Sequence, residues 1–330
     1  MAKSNNKIVV IGGGTGTSVV ISGLKQNDEL DITALISVAD SGGSTGRLRD
    51  EFGFQPVGDL RQSLAALAQE KEQTWIRDLL LYRFAQGNGL KGHNLGNLIL
   101  TALQDMAGST AKALEIAESI FKLEGKIYPI TETNVQLVIE YEDGTILIGE
   151  DQLNPGNSDG KKIKKISLTP KAKIYQKAAE SIKNADLIVV GPGDLYASIL
   201  PNFAVTGIQK AFRATNAKIV YVVNLMTCFT QTCNYKASDH VKEIANYLGK
   251  NPDYVLINSG KIPAKALKLY QESNEFPVED DLDRKNYKVI SEDFVSTVAA
   301  VKQAGDALHR SLLRHNNVKL TEKLLKILKS

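Results

Sequence analysis

Two glycine-rich loops carry the groups best suited to bind an anion. Gly12-Gly13-Gly14-Thr15-Gly16 lets backbone approach a ligand closely and leaves N–H groups free at a helix N-terminus, where negative charge is stabilised. No Gly-Lys-Ser/Thr follows, so the loop is not a P-loop, and Thr17 in the sixth position leaves the dinucleotide fingerprint incomplete. A bare strand-to-helix turn has the same residues, so both readings stand. Asp40 comes 24 residues after Gly16, where a ribose-binding acid sits in dinucleotide folds. It opens the second loop, Asp40-Ser41-Gly42-Gly43-Ser44-Thr45-Gly46, which leads to Arg47 and Arg49. Guanidinium forks suit phosphate oxygens, and surface helix residues are the alternative. Asp40 could also hold Mg²⁺ if further oxygen ligands came near, Asp59 and Asp194 being the best candidates.

A third cluster, Gly92-His93-Asn94-Leu95-Gly96-Asn97, fits either a structural helix cap or ligand contact by His93, Asn94 and Asn97. Gly191-Pro192-Gly193-Asp194 and Asn224 each close a further apolar run. No nucleophile–base pair is legible, so no catalytic residue is assigned. Cys228 and Cys233 are too few for a disulfide framework or a four-cysteine zinc site, and their spacing does not suit redox chemistry.

These loops need a scaffold, and the apolar runs provide one. Lys7–Ile11, Asp31–Val38, Asp186–Val190, Lys218–Val223 and Tyr254–Ile257 read as strands, each running into Gly, Asn, Asp, Ser or Thr. Helical spacing fills Thr17–Leu24, Asp59–Gln86, Asn94–Lys122, Lys171–Asn184 and the last 35 or so residues. This rhythm predicts an α/β fold, a three-layer α/β/α Rossmann-like arrangement around a mostly parallel sheet. Ligands of such sheets bind outside the carboxyl ends of the strands, at the topological switch point. Between roughly residues 126 and 170 the period changes to strict alternation, as in Val135, Leu137, Ile139 and Tyr141, with Asp143-Gly144 as a hairpin turn. This stretch reads as a small antiparallel β insertion in one domain covering residues 1–330, too short for a core of its own.

With 330 residues, 43 % hydrophobic and 23 % charged, the chain can bury a large core, which excludes disordered and fibrous classes. Forty basic against 37 acidic residues is too even a balance to indicate nucleic acid. No apolar run approaches the ~20 residues of a membrane span, and Met1–Lys7 shows no secretory signal. A reduced, cytoplasmic protein is expected. The lysine run at 161–165 and the basic tail from His309 read as solvated faces.

The ordered segments IGGGTG, VADSGGSTGRLRDEFG, VGDLRQSLAAL, GHNLGNL, GPGDLYASILPN, VVNLMT and ASDHV together resemble the gluconeogenesis-factor family (YvcK-like), within the CofD-like superfamily, from about Lys7 to Leu320. The resemblance implies a cytoplasmic protein that binds a UDP-sugar such as UDP-N-acetylglucosamine. It also implies a regulatory role in cell shape and wall precursor metabolism during gluconeogenic growth. CofD relatives instead transfer a phospholactyl-type group to a deazaflavin precursor with Mg²⁺, which is the alternative function. On this basis the first glycine loop and the Gly191-Pro192-Gly193 loop are expected to cradle the pyrophosphate. Asp40 and Asn224 would orient it, and Tyr270 and Arg314 would supply an aromatic face and a cation. A homo-oligomer and a regulatory protein partner are expected, with no nucleic acid and no membrane span. Two departures matter. The family often has two adjacent acids where this chain has Asp40-Ser41, and it usually continues the Met-Thr strand end differently from Met226-Thr227-Cys228-Phe229.

Overall fold

A computed structural model describes residues 5–68, 74–296 and 313–330. The strands are β1 (Asn6–Gly12), β2 (Leu30–Ile36), β3 (Lys126–Pro129), β4 (Gln136–Tyr141), β5 (Ile146–Ile148), β6 (Ile163–Thr169), β7 (Leu187–Val190), β8 (Lys218–Val222), β9 (Tyr254–Asn258) and β10 (Lys288–Glu292). Seven of them form one sheet in the order β10-β9-β8-β7-β1-β2-β3. Every neighbouring pair in it is parallel. Successive residues of β1 and β7 are buried, although successive side chains point to opposite faces, so both faces of the sheet are covered.

The chain starts in the middle of this sheet at β1 and builds outward through β2 to β3. It then returns to the other side of β1 and builds outward again from β7 to β10. The reversal falls between β1 and β7, so the first glycine loop and the Gly191–Asp194 loop meet at the switch point.

The three-stranded antiparallel sheet has the order β5-β4-β6. Its boundary differs from the expectation. Lys126–Pro129 pairs in parallel with β2 and ends the large sheet, so the small sheet begins only at Gln136. Four residues are too few for their period to show which sheet they join. Val135, Leu137, Ile139, Tyr141, Ile163 and Ile166 belong to the same hydrophobic cluster as Ile8, Val10, Leu187 and Val220.

The helical stretches are shorter than their apolar spacing predicts. Asn94–Lys122 divides into helices Leu95–Ala107 and Thr110–Phe121, because Gly108 takes a left-handed conformation and Ser109 caps the second helix. Residues 82–94 leave helical geometry at a Gly-rich turn. Of the C-terminal stretch, Asn317–Lys329 is helical, and residues 297–312 lie outside the described residues. Among the described residues no helix is long and apolar enough to cross a membrane.

Candidate functional site at the carboxyl edge of the sheet

At the end of β1 the chain turns directly into helix Gly14–Leu24, which has no side-chain cap. Gly14 has φ +65°, a left-handed conformation that favours glycine. A Cβ built there would make ordinary van der Waals contact with Asp59 Oδ1 at 3.7 Å and Ser198 Oγ at 3.9 Å. Gly14 is half-buried, and its N–H is donated to the Asp59 carboxyl. The N–H groups of Thr15 and Gly16 fall in the first helical turn, where the helix itself supplies no acceptor.

The other predicted glycines act differently. The Gly13 N–H goes to Thr17 Oγ1 at 3.0 Å. A Cβ on Gly12 would stand 2.3 Å from Thr17 Oγ1, and one on Gly16 would stand 2.3 Å from the Pro192 carbonyl oxygen. Both glycines therefore serve close packing. Gly191 donates its N–H to the Ile11 carbonyl at 3.0 Å, and Gly193 donates its own to Asn224 Oδ1 at 3.2 Å. The N–H groups of Gly191 and Gly193 are thus engaged within the protein. Asn224 Oδ1 thereby holds the Gly193 loop against the end of β8.

Four carboxyl groups near Gly14 and Asp59 feel one another's charge. Asp40 accepts the Gly42 N–H at 2.9 Å in an Asx turn. Asp59 lies so close to Gly13 that a Cβ there would stand 2.3 Å from Asp59 Oδ2. Burial, and then the charge of Asp40, raise the Asp59 carboxyl to about 7, while the Gly14 N–H and Arg61 act the other way. Asp194 reaches solvent at the mouth of the crevice. The protein around it still raises its pKa, against the nearby Arg314 guanidinium.

The fourth acid, Glu150, comes from the turn after β5. Burial pushes it well above the carboxylate range, and so do the charges of Asp40, Asp59 and Asp194. Glu150 was missing from the sequence-derived set. It lies 110 residues from Asp40 in an unremarkable Gly-Glu-Asp-Gln turn, so no local pattern marks it. The Ser41 hydroxyl, where the family often has a second acid, donates to Asp151 Oδ1 at 2.6 Å. A carboxylate therefore stands beside Ser41, supplied by the insertion.

The predicted cations divide. Arg47 is exposed and donates to the Lys91 carbonyl, at 3.4 Å. Arg49 is the buried one: it donates to the Val135 carbonyl at 2.9 Å and feels the charges of Asp40 and Asp151. Arg314 lies half-buried near Asp194. Tyr270 is buried in a small apolar cluster with Leu225, Met226 and Val295, which corrects its reading as an open aromatic face. Its hydroxyl accepts the Leu313 N–H at 3.1 Å, so it positions the segment that carries Arg314. His315, next along, donates Nε2–H to the Val223 carbonyl at 3.1 Å and pins the same segment to the end of β8.

The Gly92–Asn97 cluster proves structural. Asn94 caps helix Leu95–Ala107 by accepting the Asn97 N–H at 3.2 Å. Asn97 donates to the hydroxyls of Ser44 and Thr45, each at 3.3 Å, and accepts from Arg61 Nε at 2.8 Å. His93 Nδ1 pairs with the Ser44 hydroxyl at 3.2 Å, and burial, then Arg47, hold its pKa below the usual range. The asparagines are 1 % and 2 % exposed, which corrects their reading as ligand contacts. They brace the second glycine loop from behind.

Among the described residues no group of three or more His, Cys, Asp or Glu side chains is placed to hold a metal ion. Mg²⁺ is commonly held by one or two carboxylates together with a ligand's phosphates. Asp40 and Asp59, which feel each other's charge, fit that smaller requirement. Burial pushes the Cys228 thiol up to about 12, too high for a reactive thiolate. Lys161, Lys162, Lys164 and Lys165 pair with Asp143, Glu142 and Glu140 on a solvated face. Grooves of about 300 and 310 Å³ beside Phe203 and Gln209 contain none of the strand-end residues.

The family described as 2-phospho-L-lactate transferase CofD matches residues 8–295, which include all four strand-end loops just described. A Thermotoga maritima relative is 38 % identical over 321 residues, covering 97 % of this chain and 99 % of its own. A Halalkalibacterium halodurans protein named Gluconeogenesis factor is 38 % identical over 327 residues, covering 98 % and 97 %. A crystal structure of a Bacillus halodurans protein superimposes with a TM-score of 0.87 at 38 % identity, over 97 % of this chain and 99 % of that one. The match runs through both sheets and every loop of the switch point, so the chain is a member of the gluconeogenesis-factor family within the CofD-like superfamily.

Proposed function

We propose that this protein is a cytoplasmic regulator that binds a UDP-sugar of the UDP-N-acetylglucosamine type at the Gly14 crevice. In this reading it couples the ligand to cell shape and wall precursor metabolism during gluconeogenic growth. The observation that carries the site is the helix start at Gly14: Gly14 is left-handed, and the Thr15 and Gly16 N–H groups follow it in a first turn whose N-cap residue, Gly13, supplies no side-chain acceptor. Such a terminus favours an anion, and bare backbone lets a diphosphate approach. Arg314 supplies a cation at the mouth, held in place through Tyr270 and His315. The relatives' name, gluconeogenesis factor, supports a role in carbon metabolism. Self-association and a protein partner that receives the signal belong to the same reading.

The four acids favour a second reading, a Mg²⁺-dependent transfer of a phospholactyl-type group. Carboxylates repel a diphosphate unless protons or a divalent cation neutralise them. Asp40 and Asp59 would hold Mg²⁺, whose chemistry is to neutralise charge on a phosphoryl group. Asp194 and Glu150 would face the transferred group.

A thermal-shift panel of UDP-N-acetylglucosamine, UDP, GDP and NAD, with and without Mg²⁺, tests the first reading. A ligand at 100 times its Kd stabilises by about 2.7 kcal/mol. No shift with any UDP compound removes the nucleotide-sugar reading. Phosphorus NMR over hours with UDP-N-acetylglucosamine and Mg²⁺ separates the two. Unchanged spectra fit a sensor, and enzyme-dependent release of UDP, UMP or sugar phosphate supports the transferase.

A further inference from the structure

Beyond β5 the chain turns back toward the crevice at Gly149, whose φ is +111°. A Cβ there would stand 2.5 Å from Asp151 Oδ1, so the turn needs a glycine to fold the Asp151 carboxylate over itself. That carboxylate meets Ser41. The Ser41 hydroxyl donates to Asp151 Oδ1 at 2.6 Å and accepts the Asp151 N–H at 2.9 Å. The Ser41 backbone N–H is donated to the neighbouring Glu150 carboxyl. One serine thus engages two consecutive acids of a distant segment. Asp151 Oδ2 accepts from Gln152 Nε2 at 2.8 Å, and Gln152 Oε1 accepts from Asn157 Nδ2 at 3.1 Å, so the carboxylate is held from both sides.

The same segment is tied down a second time. Thr230 Oγ1 donates to the Leu153 carbonyl at 3.3 Å. Ser41 follows β2 and Thr230 follows β8, with β1 and β7 between them in the sheet. Residues 150–153 are therefore anchored on both sides of the switch point. Glu150 nevertheless feels the charges of Asp40, Asp59 and Asp194, which would drive an untethered acid away.

We propose that Ser41 and Asp151 form a latch that holds Glu150 in the crevice, making the small sheet one wall of the ligand site and Glu150 a group the ligand meets. This deepens the binding reading given above and rests on it for the ligand. Ser41 and Asp151 are positioning residues acting through Glu150. The hydroxyl–carboxylate bond is reciprocal, so exchanging the two residues keeps it: Asp at 41 accepts both the hydroxyl and the N–H of Ser at 151.

Two measurements on the full chain test this. In ligand-free protein, backbone hydrogen exchange over residues 149–153 is expected to quicken about tenfold in Ser41→Ala and to return within about threefold of the unaltered rate in the double exchange Ser41→Asp, Asp151→Ser. Unchanged exchange in Ser41→Ala overturns the latch. By calorimetry with UDP-N-acetylglucosamine, Ser41→Ala is expected to weaken affinity about tenfold when Glu150 is present and less than about twofold in the Glu150→Ala background. Equal losses in both backgrounds overturn the assignment to Glu150. Ser41→Thr, which keeps the hydroxyl, restores both readouts and separates the latch from general misfolding. If UDP-N-acetylglucosamine fails to bind the unaltered protein, the nucleotide-sugar reading falls, and the exchange result still decides the latch.

Discussion

The Gly13–Asp59 crevice and the Gly92–Asn97 turn are built from similar residues, glycines with polar neighbours at helix starts, and they do opposite work. In the turn every prominent polar side chain has a protein partner at ordinary hydrogen-bond distance, and the asparagines are buried. In the crevice a left-handed glycine stands beside Asp59 and Ser198, and three acids besides Asp40 are held above their usual pKa. Polar groups that satisfy one another stabilise a fold, whereas like charges gathered at a strand edge destabilise it unless something binds there. Mutual satisfaction, rather than residue type, separates scaffold from site here.

The largest expected effect breaks the turn. Asn97→Ala strips Arg61 of an acceptor and Ser44 and Thr45 of a donor, deep in the protein. Leaving a buried charged group short of a partner costs about 2–4 kcal/mol, to be read by urea unfolding. The affinity of the remaining folded protein for UDP-N-acetylglucosamine should stay the same, and a selective loss of binding would erase the contrast between the two regions.

Gly14→Val has the reverse signature. A β-branched residue at φ +65° costs about 1–3 kcal/mol in stability. Its side chain would enter the crevice beside Asp59 and Ser198 and abolish ligand binding, as calorimetry would show.

Asp59→Asn sharpens the electrostatic half of the comparison. The folded carboxyl titrates near 7 against an ordinary 3.8, so the folded state holds its proton more tightly than the unfolded chain. The stabilisation this gives is complete below about pH 3.8 and is lost as pH rises through 7. The asparagine variant escapes that loss. It should melt higher than the unaltered protein at pH 8, by on the order of 1–2 kcal/mol, with the advantage shrinking toward pH 4. An equal difference at both pH values would show that charge crowding does not set the stability of the edge.

The smallest effect comes from charges that stand in solvent. Glu140 binds Lys164 and Lys165 on the open face of β6. Lys164→Ala should leave the melting temperature unchanged within error at any moderate salt concentration, because exposed pairs are screened. A clear drop would mean that exposed carboxylates matter here as much as crowded ones.

Much of the architecture was legible in advance. Continuous apolar runs such as Leu187–Val190, closed by Gly and Asp, mark buried parallel strands, and strict alternation marks the small sheet. Lys126–Pro129 misled because it is short and adjoins the alternating stretch, while its partner β2 lies about ninety residues earlier. Tyr270 and Asn97 misled in another way. Their chemistry suits ligand contact, but each is engaged by a backbone or side chain remote in sequence.

Local composition determined the strands, the glycine turns and the placing of polar chemistry at the carboxyl edge, because periodicity and backbone permissiveness act over a few residues. Tertiary structure alone decided which N–H groups remain available. Gly191, Gly193 and Gly14 have theirs taken by Ile11, Asn224 and Asp59, whereas the Thr15 and Gly16 N–H groups fall in the first helical turn, where the helix supplies no acceptor. It also decided that Glu150 and Asp151, from the far end of a separate sheet, would complete the surroundings of Asp40 and Ser41. Hydrogen bonding and charge act through space over a few ångströms, and only the folded chain fixes which residues come that close.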